Sequence, residues 1–190
     1  MEKKFNTKTI AGLGVLTAVV IVLQLFSNYV QFGTVSITLA LIPVVVGACI
    51  YGPLGGLFLG LVQGALVIAA PSTLASFMPY SPILTIITCL LKSGLAGVGS
   101  AYVFKLLKNK NLYVASILAA IVAPIINTGV FTIFAFAGFY PLLSSWLPSG
   151  ETMIVWYLTA MVGINFIIEF AVNSLLSPVV YTVYNHLGNK

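Results

Sequence analysis

Six long apolar stretches cover most of the chain, and they restrict it to structures that are stable in a lipid bilayer. A membrane-spanning helix needs about 20 mainly apolar residues, and continuous apolar stretches favour helices over the alternating strands of a β-barrel. We therefore predict an all-α integral membrane protein in which residues 1–190 form one compact bundle of six transmembrane helices. The stretches are Thr9–Phe26, Ser36–Tyr51, Leu54–Ala70, Pro82–Leu107, Leu112–Phe139 and Met153–Tyr184. The second and third are short, so we expect them to be tilted or shielded by neighbouring helices.

The near absence of charge supports this class of protein. Only 6% of the residues are charged and 60% are hydrophobic, whereas a soluble domain carries about 25% charged residues. Three acids, one histidine and no arginine leave little for hydrolytic or metal chemistry. The sequence also lacks the GxxxxGK(S/T), HExxH and GxSxG motifs. We expect no enzyme activity, no metal and no cofactor, so ATP hydrolysis that powers transport must come from another subunit.

The lysines predict how the bundle sits in the membrane. They cluster before the first helix and between the fourth and fifth, and one ends the chain: Lys3, Lys4, Lys8, Lys105, Lys108, Lys110 and Lys190. With six helices, all of these positions lie on one side, which the positive-inside rule places in the cytoplasm together with both termini. A signal peptide is the competing interpretation of the N-terminus, but no small-x-small cleavage site follows before Asn28.

Aromatic residues are frequent in the three loops that this topology places outside the cell, at residues 27–35, 71–81 and 140–152. These loops carry Tyr29, Tyr80, Tyr140 and Trp146. Tyrosine and tryptophan often form a belt at the membrane interface. The alternative interpretation is a lid over an outward-facing pocket, and the sequence leaves both open.

Polar residues within three of the predicted helices indicate such a pocket. Lys92 lies about ten residues, or roughly 15 Å, from the outer end of the fourth helix. A lysine at the bilayer centre costs about 2.5–3.5 kcal/mol, which implies a partner or a water-filled cavity. Asn127 and Asn165 lie about 12 residues, or roughly 18 Å, from the outer ends of the fifth and sixth helices. We predict that these three side chains share a polar pocket in the outer half of the bundle.

Glu169 extends this polar region. It follows Asn165 by one helical turn and precedes Asn173 by another, so the three form one stripe that must face the bundle interior. Lys92 and Glu169 could form a buried ion pair that holds helices together. Alternatively, Lys92 contacts a ligand while Glu169 tunes it, and a proton relay is a third interpretation. The remaining candidates for substrate binding are Gln63, Tyr80 and Trp146.

Small residues at four-residue spacing predict close helix packing. Gly56, Gly60 and Gly64 lie along one face of the third helix, and Gly14 and Ala18 along one face of the first. Such spacing lets helix backbones approach closely in lipid. The face with Gly14 and Ala18 could pack inside the bundle or dock on a separate membrane protein.

Several stretches resemble the substrate-binding S-components of energy-coupling factor (ECF) vitamin transporters. They include Ile42–Ala48 (IPVVVGA), Tyr51–Gly60 (YGPLGGLFLG), Leu91–Gly97 (LKSGLAG), Tyr102–Lys108 (YVFKLLK) and Ala123–Gly129 (APIINTG). The resemblance covers nearly the whole chain and is strongest to the branch of pantothenate and hydroxymethylpyrimidine transporters.

The resemblance implies a function and a set of partners. S-components bind a water-soluble vitamin or precursor near the outer face with helices four to six and the outer loops. They dock on a transmembrane coupling subunit driven by two cytoplasmic ATPases, through an Ala-x-x-x-Ala motif in the first helix. Here the matching positions are Gly14 and Ala18. The resemblance thus implies a high-affinity binding subunit of an ECF importer in the bacterial plasma membrane, with no nucleic-acid partner.

Other functions are compatible with the composition alone. A self-sufficient carrier or channel for a small solute would need a continuous polar path, of which the Asn165–Glu169–Asn173 stripe is the only hint. A membrane enzyme or assembly factor would have few catalytic side chains to use. The substrate itself stays open: the single deep cation suits a carboxylate, whereas two amides and aromatic loops suit a pyrimidine or a flavin.

Overall fold

The computed structural model describes residues 7–28, 31–32, 35–36 and 38–187. Within these ranges lie eight α-helices, one π-helical stretch and one short antiparallel hairpin. Their bounds are α1 Thr7–Ser27, β1 Gln31–Phe32, β2 Val35–Ser36, α2 Leu41–Ile68, α3 Pro71–Ser76, α4 Pro82–Leu107, α5 Leu112–Ala137, α6 Tyr140–Trp146, α7 Met153–Trp156, the π-helical stretch Tyr157–Gly163, and α8 Ile164–Leu187. The predictions that involve Lys3, Lys4, Tyr29 and Lys190 concern residues outside the described ranges.

Five helical segments of the described chain are long and apolar enough to cross a membrane. They are α1, α2, α4, α5 and the continuous segment Met153–Leu187. Large apolar side chains cover their outer surfaces; Ile83, Leu106 and Leu175 are each at least 74% exposed. Apart from the two-residue strands, the predicted helical bundle is confirmed. The count of six transmembrane helices stays a prediction, because two of the predicted stretches lie in α2.

A sharp turn at Gly52 bends α2 back on itself. Gly52 has φ of 77° and ψ of −166°, a conformation that L-residues with side chains rarely adopt. A Cβ atom added at Gly55 would lie 3.2 Å from the carbonyl oxygen of Gly47, whereas residues eight apart in a straight helix are about 12 Å apart. The arms Leu41–Tyr51 and Pro53–Ile68 are therefore antiparallel neighbours.

The first arm of α2 is shorter than predicted and is enclosed by protein. It begins at Leu41 rather than Ser36, because Ser36 pairs with Gln31 in the hairpin. Eleven residues rise about 16 Å, roughly half of the 30 Å hydrocarbon core of a bilayer. All residues from Leu41 to Ile50 are buried, which confirms the expectation that this short segment is shielded by its neighbours.

The glycine ladder of α2 packs directly on the backbone of α4. A Cβ atom at Gly56, Gly60 or Gly64 would collide with the backbone at Gly97, Ser93 or Cys89, respectively. One series ascends and the other descends by four residues at a time, so the contact between the antiparallel helices continues over about two turns. For this helix, the interpretation of the small residues as packing within the bundle is confirmed.

Two short helices, α3 and α6, occupy segments that we expected to be loops. Each begins with a proline in its first turn, where the missing N–H has no intrahelical partner to lose. The hydroxyl of Ser81 then caps α4 by accepting a hydrogen bond from the Leu84 N–H at 3.4 Å. We call the end of the bundle that carries α3, α6 and the start of α4 the α3–α6 end. Gly52 and the α4–α5 connection lie at the opposite end.

Candidate functional site

A polar cavity lies between α3, α4, α5 and α8 near the α3–α6 end. Its volume accessible to water is about 60 Å³, which is enough for several water molecules at about 10–15 Å³ each. Eighteen residues line it: Thr38, Val67, Ser72, Thr73, Phe77, Thr85, Thr88, Cys89, Lys92, Asn127, Thr128, Phe131, Phe139, Met161, Val162, Asn165, Phe166 and Glu169. The structure thus brings together four of the side chains predicted for substrate binding: Lys92, Asn127, Asn165 and Glu169.

Lys92 carries its charge into this cavity. Its ammonium nitrogen lies 5.3 Å from the centroid of the Phe131 ring, within the range of a cation–π interaction. The charges of Lys92 and Glu169 are close enough to interact, yet no ion pair within 4.0 Å joins these two described residues. A direct ion pair between Lys92 and Glu169, which was one of three interpretations of the sequence, is therefore not formed in this structure.

Glu169 is held by a backbone group instead. The Thr38 N–H donates a hydrogen bond of 2.8 Å to Oε1 of Glu169, and this contact is buried. The side chains of Thr38 and Asn127 also lie close enough to stabilise the charge of the carboxyl group. Glu169 therefore joins the segment between β2 and α2 to α8, which lies 131 residues later in the chain.

The predicted polar stripe of α8 faces the bundle interior. Asn165, Glu169 and Asn173 are 5%, 4% and 0% exposed. The amide nitrogens of Asn165 and Asn173 donate to the carbonyls of Met161 and Glu169, at 2.9 and 2.7 Å. Asn173 lies one turn deeper and does not line the cavity.

Asn127 contributes a polar side chain to the cavity lining. The residue is only 4% exposed, and its Oδ1 is enclosed by protein and accepts no hydrogen bond from the described part of the chain. Nearby, the hydroxyls of Thr85 and Thr88 donate to the carbonyls of Ser81 and Leu84 at 2.8 and 2.7 Å. The oxygens of these two hydroxyls keep lone pairs that can accept hydrogen bonds.

An aromatic cluster closes the cavity at the α3–α6 end. Phe77 makes edge-to-face contacts with Phe131, Phe139 and Trp146, with ring centroids 5.9, 5.2 and 5.7 Å apart. Such pairs stabilise packing by about 0.5–1.5 kcal/mol beyond the buried area. Tyr80 lies at the edge of this cluster, and its ring centroid is 6.1 Å from that of Phe139.

Three residues predicted for substrate binding lie outside the cavity lining. Trp146 contacts Phe77 and Tyr80 contacts Phe139, and these two phenylalanines line the cavity. Gln63 is fully buried, and neither amide atom has a hydrogen-bond partner in the described chain. Binding by these three residues stays a prediction.

Several lining residues were missed by the sequence analysis. Phe131 and Met161 lie one turn from Asn127 and Asn165 on the same helix faces, so helical periodicity could have found them. Thr38 and Phe77 could not be found this way, because they belong to short segments that only tertiary packing brings to the cavity.

The predicted docking residues lie on the outer surface of α1. Gly14 and Ala18 are exposed, and a Cβ atom at Gly14 would meet nothing within 4 Å. By contrast, Gly12 on the other face packs against Tyr51. Within the described part of the chain, Gly14 therefore does not pack inside the bundle.

Comparison with known proteins places these features in one family. The family model for the substrate-specific component of ECF transporters matches residues 8–181. Neither the curated proteins nor the solved structures gave a match. Among the described residues, no group of three or more histidine, cysteine or acidic side chains could hold a metal ion.

Proposed function

Because the chain belongs to the family of ECF transporter substrate-specific components, we propose that its cavity captures a water-soluble vitamin or vitamin precursor for import. Members of this family are membrane proteins that bind substrate for the ECF module, which consists of a coupling subunit and ATPases. The proposed cycle is capture at the α3–α6 end, docking on the coupling subunit through α1, and release driven by ATP hydrolysis in the partner ATPases. The branch of pantothenate and hydroxymethylpyrimidine transporters is part of this proposal.

One observation carries the proposal: polar side chains from three helices meet in a cavity within an otherwise apolar bundle. Burying polar groups in a membrane protein is costly unless they are satisfied. Lys92 from α4, Asn127 from α5 and Asn165 with Glu169 from α8 all line this one cavity. A bound polar solute would offset this cost at Lys92, which forms no ion pair within 4.0 Å with any described acidic side chain.

The outer face of α1 supports a role in docking. In the most apolar 18-residue part of α1 only 17% of the residues are buried, less than in any other described span. The open space at Gly14 and the exposure of Ala18 leave room for the backbone of a partner helix. We assign docking on the coupling subunit to these two residues.

We further propose six passes through a bacterial plasma membrane, with both termini in the cytoplasm. The two arms of α2 supply the second and third passes, the first of them shielded by protein. Lys105, Lys108 and Lys110 lie near the α4–α5 connection, at the end opposite the α3–α6 end. Lys8 lies in the first turn of α1, at the same end, because Gly12 of this helix packs against Tyr51 beside the Gly52 bend. The positive-inside rule places this end in the cytoplasm and the cavity toward the outside.

Transport assays in proteoliposomes test this function. The protein alone should bind substrate without accumulating it, and ATP-dependent uptake should require the coupling subunit and both ATPases. Uptake by the protein alone, driven only by the substrate gradient, would instead make it a self-sufficient carrier.

A further inference from the structure

We propose that the substrate is a small organic anion whose acidic group binds Lys92 while a hydrogen-bonding group of the same ligand meets the side-chain amide of Asn127. The inference rests on the proposed function of the cavity as the substrate site, and it adds the chemical class of the substrate. It follows from the charges and hydrogen-bonding groups that the cavity leaves available.

The first step concerns the positive charge. Among the described residues that line the cavity, Lys92 is the only cationic side chain, and no described acidic side chain forms an ion pair with it within 4.0 Å. The ammonium group of Lys92 lies over the face of the Phe131 ring. An ammonium group this deep in a membrane helix is costly, and an anionic ligand would offset that cost.

The second step concerns the negative charge. Glu169 is the only acidic side chain that the described part of the chain contributes to the lining, and it is only 4% exposed. Its carboxyl group already accepts from the Thr38 N–H and interacts with the side chains of Thr38 and Asn127. Of the two charges, the positive one is therefore the one available to a ligand.

The third step concerns the neutral groups. The hydroxyls of Thr85 and Thr88 line the cavity and donate to their own helix, so their lone pairs are left to accept; Asn127 lines the cavity beside them, with its Oδ1 enclosed by protein. These groups favour a ligand with at least one hydrogen-bond donor. Four aromatic rings complete the lining, those of Phe77, Phe131, Phe139 and Phe166, and they favour an apolar or planar body between the polar ends.

Two charge-changing variants test the sign of the ligand charge. We expect Lys92→Gln to weaken binding of the acid about 10- to 100-fold, as for loss of a hydrogen bond between charged groups. Lys92→Arg keeps the charge and should restore most of the affinity. Glu169→Gln removes a nearby like charge while keeping an acceptor for the Thr38 N–H, so it should tighten binding of the acid. Gly129→Ala, which faces open space on α5, is the matched control.

The ligand is identified in two ways. Protein purified from cells grown in rich medium is extracted with methanol, and the released compound is identified by mass spectrometry. Ligand-free protein is titrated calorimetrically with acids and their neutral analogues: nicotinate and nicotinamide, pantothenate and pantothenol, biotin and biotinamide. We expect the extracted compound to carry an acidic group, and only the acid of a matched pair to bind.

The possible outcomes separate this inference from the proposed function. A neutral or cationic extracted compound would overturn the inference but leave the binding function intact. Equal binding of an acid and its neutral analogue would do the same, as would a greater loss in Glu169→Gln than in Lys92→Gln. If no compound is extracted and none binds, the proposed function is overturned together with the inference.

Discussion

Lys92, Asn127, Asn165 and Glu169 could be located from the sequence because each is polar in an otherwise apolar helix. Their depths, counted in helical turns, predicted that they would meet, and all four line one cavity. Their hydrogen-bond partners could not be predicted in the same way. The contact between Glu169 and the Thr38 N–H joins residues far apart in the chain, and it depends on how the segment before α2 folds over the cavity.

Asn127 provides the sharpest single-residue test of the cavity. Replacing Asn127 with Ala should weaken substrate binding about 3- to 10-fold, the effect of losing one hydrogen bond, while the protein stays folded. Calorimetric titration with the identified substrate measures the change. Asn173→Ala is the matched control, because Asn173 is equally buried but does not line the cavity. Equal losses in both variants would contradict the role of Asn127 as a ligand.

At the scale of the elements, the long apolar stretches predicted the long helices well, whereas the short helices were not predicted. The α4 helix begins and ends at the predicted residues, Pro82 and Leu107, because Ser81 caps its N-terminus and the chain breaks at Lys108–Asn111. By contrast, α3 has only six residues, too few for a periodic pattern. Its position depends on contacts of Phe77 with rings from other elements.

The packing of α2 on α4 leads to a prediction about stability. Gly60→Ala should lower the unfolding free energy by about 1–3 kcal/mol, because the added methyl group collides with the backbone of Ser93. Thermal unfolding in detergent measures the effect. Gly14→Ala, where the methyl group meets open space, should leave the melting temperature nearly unchanged. Similar melting temperatures for both variants would contradict the close approach of the two helices.

The exposed face of α1 leads to a prediction about coupling. Gly14→Leu should abolish ATP-dependent uptake by the complete transporter but preserve substrate binding, because the side chain blocks a partner rather than the cavity. Gly129→Leu is the control: it also points into open space, but on α5, and should retain uptake. Loss of binding together with uptake in Gly14→Leu would mean that this face supports the bundle rather than a partner.

At the scale of the whole molecule, composition alone predicted a membrane protein with an apolar surface, and five described spans bear this out. The bend at Gly52 was harder to anticipate in detail. The sequence predicted a break at Gly52 and Pro53, but the enclosure of the short first arm depends on α1, α4 and α8 packing around it. Such packing among distant segments leaves little trace in the local sequence.

The proposed orientation can be tested by cysteine labelling. In a background with Cys49→Ala and Cys89→Ala, single cysteines are introduced as Asn109→Cys and Ser149→Cys; both positions are exposed and lie at opposite ends of the bundle. In intact cells, a membrane-impermeant maleimide should label position 149 but not 109. Labelling of 109 but not 149 would invert the topology and place the cavity toward the cytoplasm.

The most direct test of the central claim is a tryptophan fluorescence titration of the purified protein from cells grown in vitamin-poor medium. The ring of Trp146 lies 5.7 Å from that of Phe77, which lines the cavity, and Trp156 packs against the same aromatic cluster. We expect a saturable change with one compound from a panel of B vitamins and precursors, at micromolar or lower concentration, and a smaller change in Trp146→Phe. If the folded protein gives no saturable response to any compound of the panel, the claim that this cavity binds a vitamin is contradicted.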